Sequence, residues 1–244
     1  MTRTGTAFAA AAAAVALAVA VAAVPLNVAA AKPSVTLSVR TVHGPGASAA
    51  SLVNRLTLID ESGIDNRISA RIGPTGRLVL TAPEGLGDPD GSGLHCDLDN
   101  AKPGQSTAQQ VSCAAGYIGA IVGDLNSGND TFTADPGLTV LVGAVIDGER
   151  RPLSGGLGRD RLVGGTASDL LDGEEGSDVV IGMGGEDFLT GGSGSDRLKG
   201  GTGGDVLLGL TDPDRLNGGA ARDLCKGGGA TDVGKSCEIS RGIP

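Results

Sequence analysis

Residues 191–208 read GGSGSDRLKGGTGGDVLL, two nine-residue units that each begin with a glycine pair and carry aspartate in sixth place. Extending this frame in both directions divides residues 155–235 into nine consecutive units without an insertion: GGLGRDRLV, GGTASDLLD, GEEGSDVVI, GMGGEDFLT, GGSGSDRLK, GGTGGDVLL, GLTDPDRLN, GGAARDLCK and GGGATDVGK. Position one is always Gly. Position six is always Asp: Asp160, Asp169, Asp178, Asp187, Asp196, Asp205, Asp214, Asp223 and Asp232. Position eight is aliphatic from Leu162 through Leu216, then Cys225 and Gly234. So strict a period indicates a stack of coils, because one unit alone cannot bury its inward side chain.

Glycines at the head of each unit allow positive φ and tight turning, and such a turn points several carbonyl oxygens inward. One carboxylate added to those carbonyls makes an oxygen donor set for a hard cation. Calcium takes six to eight oxygens, more than one turn supplies, so neighbouring turns must share each ion. The last three residues of a unit, such as Arg197-Leu198-Lys199, form a short strand with the middle side chain inward and its neighbours toward water. By that rule Asp172, at position nine, faces outward.

The units resemble the RTX family of haemolysin-type calcium-binding repeats, whose consensus is G-G-x-G-x-D-x-U-x. The resemblance covers residues 155–235, about a third of the chain. It implies an all-β fold, a right-handed parallel β-roll in which two units make one coil and Ca²⁺ lies between turns on the same side. The nine aspartates are then the metal ligands, in one stack of Asp160, Asp178, Asp196, Asp214 and Asp232 and another of Asp169, Asp187, Asp205 and Asp223. At most about seven ions would be fully enclosed, four in the first stack and three in the second.

Units 191–199 and 200–208 match the consensus fully, which makes Asp196 and Asp205 the best-supported ligands. Elsewhere Glu174, Met183 and Leu210 replace the second glycine, and Ala167, Asp212, Ala221 and Ala230 replace the fourth-place glycine. A Cβ there costs on the order of 1 kcal/mol if φ is positive. Pro213 and Asp212 also compromise the turn of Asp214.

Residues 1–31 carry Arg3, an apolar, mostly alanine run from about Ala7 to Val24, and Ala29-Ala30-Ala31 before Lys32. This is a secretory signal peptide, read against the alternative of a membrane anchor. Its removal leaves no stable membrane span and places the protein outside the cell or on its surface. The four cysteines then pair as disulfides. Three pairings are possible; the separations 113 − 96 = 17 and 237 − 225 = 12 favour Cys96–Cys113 and Cys225–Cys237. The second would staple the open end of the repeat stack, where a terminal cap is needed. Zinc is disfavoured, because no CxxC occurs and His43 and His95 show no ligand spacing.

Residues 32–150 hold alternating stretches at 34–40, 54–60, 66–72, 76–82, 117–123 and 138–146, a β-rich N-terminal domain that is either a β-helix merging with the roll over 151–235 or a sandwich. Within it Gly128-Asn129-Asp130-Thr131-Phe132 fits positions four to eight of the nonapeptide, a degenerate coil leading into the roll. Residues 236–244 form a C-terminal cap. Tyr117 and Phe132 read as core residues.

The formal net charge is −9, and −10 once Arg3 is removed (18 − 28). No run of Lys or Arg gathers into a basic patch, so no nucleic-acid partner is expected. HExxH and GxSxG are both missing, and Asp60-Glu61 and Asp88/Asp90 read as turn residues. The expectation is a secreted, non-catalytic calcium-binding protein that folds on binding Ca²⁺. The alternative is a calcium-stabilised adhesion or matrix module at the cell surface, with a secreted hydrolase behind it. No protein or glycan partner is named by the sequence.

Overall fold

The structure is a computed structural model that describes residues 35–42, 53–60, 63–87, 96–99, 107–114, 118–146 and 149–241. Residues 1–31, which carry the expected signal peptide, and His43, Glu61, Asp88, Asp90, His95 and Tyr117 lie outside the described residues. Among the described residues every element is a strand, and no helix is long and apolar enough to cross a membrane.

The strands before the repeats are β1 (Val35–Val42), β2 (Val53–Asp60), β3 (Arg67–Ile72), β4 (Leu78–Gly87), β5 (Cys96–Asp99), β6 (Thr107–Cys113), β7 (Ile118–Asp124) and β8 (Thr131–Ala134). β9 (Leu141–Val142), β10 (Ala144–Ile146) and β11 (Glu149–Arg151) follow. The repeats supply β12 (Leu153–Gly158), β13 (Arg161–Val163), β14 (Leu170–Gly176), β15 (Val179–Gly184), β16 (Phe188–Ser193) and β17 (Arg197–Thr202). The chain closes with β18 (Val206–Leu210), β19 (Arg215–Ala220), β20 (Leu224–Gly228), β21 (Val233–Lys235) and β22 (Ile239–Arg241).

These strands wind into a parallel β-solenoid. On one side β2, β7, β12, β14, β16, β18, β20 and β22 pair in succession; on the other side the succession is β3, β8, β13, β15, β17, β19 and β21. Within the repeats each partner lies 18 residues on, two units per coil, as in Leu171↔Leu189 and Leu198↔Leu216. Position-eight side chains point into the coil and stack in two columns, all 0–2 % exposed from Leu162 to Cys225. Each such leucine contributes about 2 kcal/mol of burial, and without large aromatics those columns are the core. Phe132 extends one column, between Ile68 and Leu162.

Two departures from regular winding occur before the repeats. β4 pairs antiparallel with β3 and β6, and β1 antiparallel with β2, while Leu78, Leu80, Leu86 and Val111 join the same buried cluster as the columns. A solenoid end needs such a cover. Second, the Val142 amide bonds to Asp169, where residue 151 would stand in an unbroken frame, yet Leu153 is back in register with Leu171. The chain thus makes a detour of 151 − 142 = 9 residues, one repeat length, most of it the β10–β11 hairpin. The stretch at 138–146 is therefore two short strands on either side of a bend at Gly143, whose φ is +73°.

The outward positions of the two sheets differ. On β14, β16, β18 and β20 they are chiefly apolar, with Leu170, Phe188, Val206, Leu208 and Leu224. On β13, β15, β17, β19 and β21 they include Arg161, Arg197, Lys199, Arg215 and Lys235, all exposed. The expectation that the basic residues do not gather is corrected here: they are scattered in sequence, but the 18-residue coil brings them to one face.

Candidate metal centre

Each position-six aspartate sits where its turn enters a strand, with its side chain aimed into the coil. All nine are 0–3 % exposed. Their Oδ1 atoms build two ladders, in which every Oδ1 accepts the backbone N–H of the residue one coil earlier. Asp160 N–H donates to Asp178, Asp178 to Asp196, Asp196 to Asp214 and Asp214 to Asp232, at 2.8–2.9 Å. On the other side Asp169 donates to Asp187, Asp187 to Asp205 and Asp205 to Asp223, over the same distances. The two sets are the two stacks expected from the period.

The ladders extend beyond the nine. Asp130 N–H donates to Asp160, and Asn66 donates both its N–H and its Nδ2 to Asp130, which adds two rungs at the start of the first ladder. At the far end of the second, Asp223 N–H donates to Glu238 Oε2 at 2.6 Å. Glu238 lies outside the period and no spacing rule points to it; Asn66 opens the alternating stretch 66–72, and only its 64-residue separation from Asp130 hides it.

The second oxygen is different. Oδ2 of Asp130, Asp160, Asp178, Asp187, Asp196, Asp205, Asp214, Asp223 and Asp232 is buried with no hydrogen-bond partner. Asp169 is the exception, its Oδ2 accepting Gly165 N–H at 2.7 Å. Beside each orphan oxygen of the repeats is the position-one glycine of the same unit, whereas the corresponding place before Asp130 is held by Leu125. A Cβ on Gly173 would stand 2.6 Å from Asp178 Oδ2 and 2.6 Å from the Gly191 carbonyl oxygen one coil on. The same pairing of carboxylate and carbonyl recurs at Gly164, Gly200 and Gly209. Position one must be glycine for this reason: it leaves room where two oxygens, both acceptors, converge.

Burial strains these carboxylates electrostatically. It pushes Asp187 up to about 8, with the like charges of Asp169 and Asp205 adding to it and the Asp169 amide opposing. Asp196 is pushed up to about 7, and Asp130, Asp160, Asp169, Asp178 and Asp214 to about 6, in each case chiefly by loss of water. Asp205 is shifted in the same direction by the same cause. A row of desolvated acceptors with no donor is costly as it stands, and each needs a proton or a cation.

The donor set suits a hard oxygen-seeking ion. Among the described residues no three His, Cys, Asp or Glu side chains converge, so a cation here draws on one or two carboxylates and on backbone carbonyls. That is calcium chemistry rather than zinc chemistry.

The non-glycine turns keep the shape. Glu174, Met183 and Leu210 hold φ of 71°, 86° and 83°, and Asp212 and Ala221 hold 69° and 89°, whereas Ala167 and Ala230 avoid positive φ. Asp214 keeps its rung despite Pro213, and Asp212 Oδ2 accepts Gly194 N–H at 3.1 Å. Asp172 stands outside the coil as its position implies, but it is half-buried rather than open to water: it accepts Glu174 N–H, and burial beside Glu174 raises it to about 6. The disulfides are Cys96–Cys113, across the β5–β6 pair, and Cys225–Cys237, at the end of the inner column.

No curated protein and no solved structure matches the chain. The family model for the RTX calcium-binding nonapeptide repeat does, in four overlapping copies over residues 154–189, 163–198, 172–207 and 199–233. With the 18-residue coil and the aspartate ladders already in view, residues 154–233 are RTX calcium-binding repeats, folded as a β-solenoid.

Proposed function

We propose that the chain is an exported, non-catalytic protein whose aspartate ladders bind calcium between successive coils and fold on doing so. The carrying observation is the column of buried Oδ2 atoms without partners, those of the repeats each beside a position-one glycine. Asp160, Asp169, Asp178, Asp187, Asp196, Asp205, Asp214, Asp223 and Asp232 are the ligands in this reading. Asp130 adds a rung, which raises the upper bound to about eight enclosed ions. Calcium supplies the positive charge that these oxygens lack. The chain's own part is to hold Oδ1 on an amide, aim Oδ2 and the position-one carbonyl into one gap, and keep Cβ atoms out of it.

Export is supported by the leader and by two disulfides, which persist in oxidising compartments. A non-catalytic role is supported by the lack of HExxH and GxSxG in the sequence. The test is a calcium titration of the refolded chain followed by circular dichroism, with bound ions counted by native mass spectrometry. Strand signal should rise cooperatively between ~10⁻⁴ and 10⁻³ M calcium. Full strand content in excess chelator at neutral pH would overturn the coupling to folding.

A further inference from the structure

We propose that the outer face of β13, β15, β17, β19 and β21 binds a linear acidic polysaccharide carrying about one charge per sugar, a reading that rests on the calcium-dependent roll as its scaffold. The face carries Arg161, Arg197, Lys199, Arg215 and Lys235, all exposed. Its other outward positions are Val163, Val179, Ile181, Asn217 and Val233, so it bears no acid at all. The chain as a whole has a formal charge of −9. None of the five cations makes an ion pair or side-chain hydrogen bond with a described residue. An unpaired cationic stripe on an acidic protein is a recognition surface rather than a solubility device.

Shape and charge density choose the occupant. An open depression of about 390 Å³ runs along this face, lined by Val179 and Ile181 toward one end, Val233 toward the other, and Arg197, Lys199 and Arg215 between them. Cations interleaved with apolar side chains fit a pyranose ring, which offers C–H groups on its face and carboxylate or sulfate at its edge. The five cations span four strand spacings from β13 to β21, about 19 Å, with none on β15 and two on β17, an average of one charge per 4–5 Å. Double-stranded DNA presents one charge per about 1.7 Å and would leave most of its phosphates facing an acidic protein. The face has no aromatic side chain on which a single-stranded base could stack.

The test uses the full-length chain and immobilised chondroitin sulfate, with neutral dextran and double-stranded DNA as comparison surfaces, while circular dichroism monitors strand content. Binding to chondroitin sulfate is expected in ~10⁻³ M calcium, weakening with added salt. Arg197→Glu/Arg215→Glu and the milder Arg197→Gln/Arg215→Gln should each weaken it at least about tenfold with strand content unchanged. Lys226→Glu, on the opposite sheet, should leave it as in the parent. Binding unaffected by either double substitution, no binding by a fully stranded roll, or tighter binding to DNA would each overturn the proposal. Self-association that depends on the same arginines would also overturn it, in favour of a second copy as occupant. Failure of the calcium reading shows separately, as strand content that chelator does not change.

Discussion

Asp178→Asn pulls apart the two duties of a ladder carboxylate. In the parent, Oδ1 accepts Asp160 N–H at 2.8 Å, while Oδ2 is buried without a partner near the Gly191 carbonyl. Burial, with a smaller push from Asp172, raises its pKa from 3.8 to about 6 against the pull of the Asp160 amide and Arg159. A carboxyl raised by folding stabilises the fold fully below pH 3.8 and ceases to do so as pH climbs through about 6. At pH 8 without calcium the ionised group therefore opposes folding by 6 − 3.8 pH units, about 3 kcal/mol. Asparagine keeps the Oδ1 acceptor, turns amide hydrogens toward the carbonyl and carries no charge. The variant should be more stable than the parent in chelator at pH 8, by up to ~3 kcal/mol. In ~10⁻³ M calcium the order should reverse, because a ligand oxygen is gone. Unfolding by urea, and folding by trimethylamine N-oxide where the apo chain is unstructured, both followed by circular dichroism, give the two differences. Glu175→Gln, exposed on the same coil, is the charge control. Loss of stability in both conditions, or the same crossover in Glu175→Gln, would refute the reasoning.

In chelator, strand signal should grow as pH falls from 8 toward 5, since Asp187 at about 8, Asp196 at about 7 and Asp160 and Asp214 at about 6 all take up protons on folding; a signal that falls over that range contradicts the buried-carboxylate account. Gly173→Ala should remove calcium from one gap, lowering the ion count in a native mass spectrum, because its Cβ would stand 2.6 Å from two ligand oxygens. Glu174→Gly should stabilise the calcium-bound roll by about 1 kcal/mol in urea melts, relieving φ of 71° on a residue with a Cβ. Cys237→Ser should cost about 3 kcal/mol in the same melts and increase hydrogen exchange first in β20 and β21.

The repeat was legible because period and geometry coincide: 18 residues per coil follow from two nonapeptides, and Leu198 or Asp196 repeats its environment wherever the frame is kept. What the period could not reveal is any contact that skips it. Glu238 takes the next rung 15 residues after Asp223 rather than 18, and Asn66 meets Asp130 across 64. The detour ending at Leu153 is hidden because it is one repeat long and leaves the downstream phase untouched. β5 and β6 are hard to read from sequence because Cys96–Asp99 is only four residues long and Thr107–Cys113 lacks strict alternation; β6 finds its partner in β4, and β5 in β6. Asp172 shows the limit of inward-outward reasoning. A side chain outside the coil can still be covered, here by the turn of its own neighbour Glu174.

The ladders have a direction, and it runs against the order of synthesis. Each aspartate lends its oxygen to the coil before it, so the amide of Asp160 has no acceptor until Asp178 arrives, and that of Asp178 waits for Asp196. A chain emerging N-terminus first always trails one unfinished rung. Only Glu238 discharges the last debt of the second ladder, to the amide of Asp223. The roll is therefore latched from behind: a ribosome that still holds the final turn also withholds closure of the second ladder, which is complete only after that turn is released.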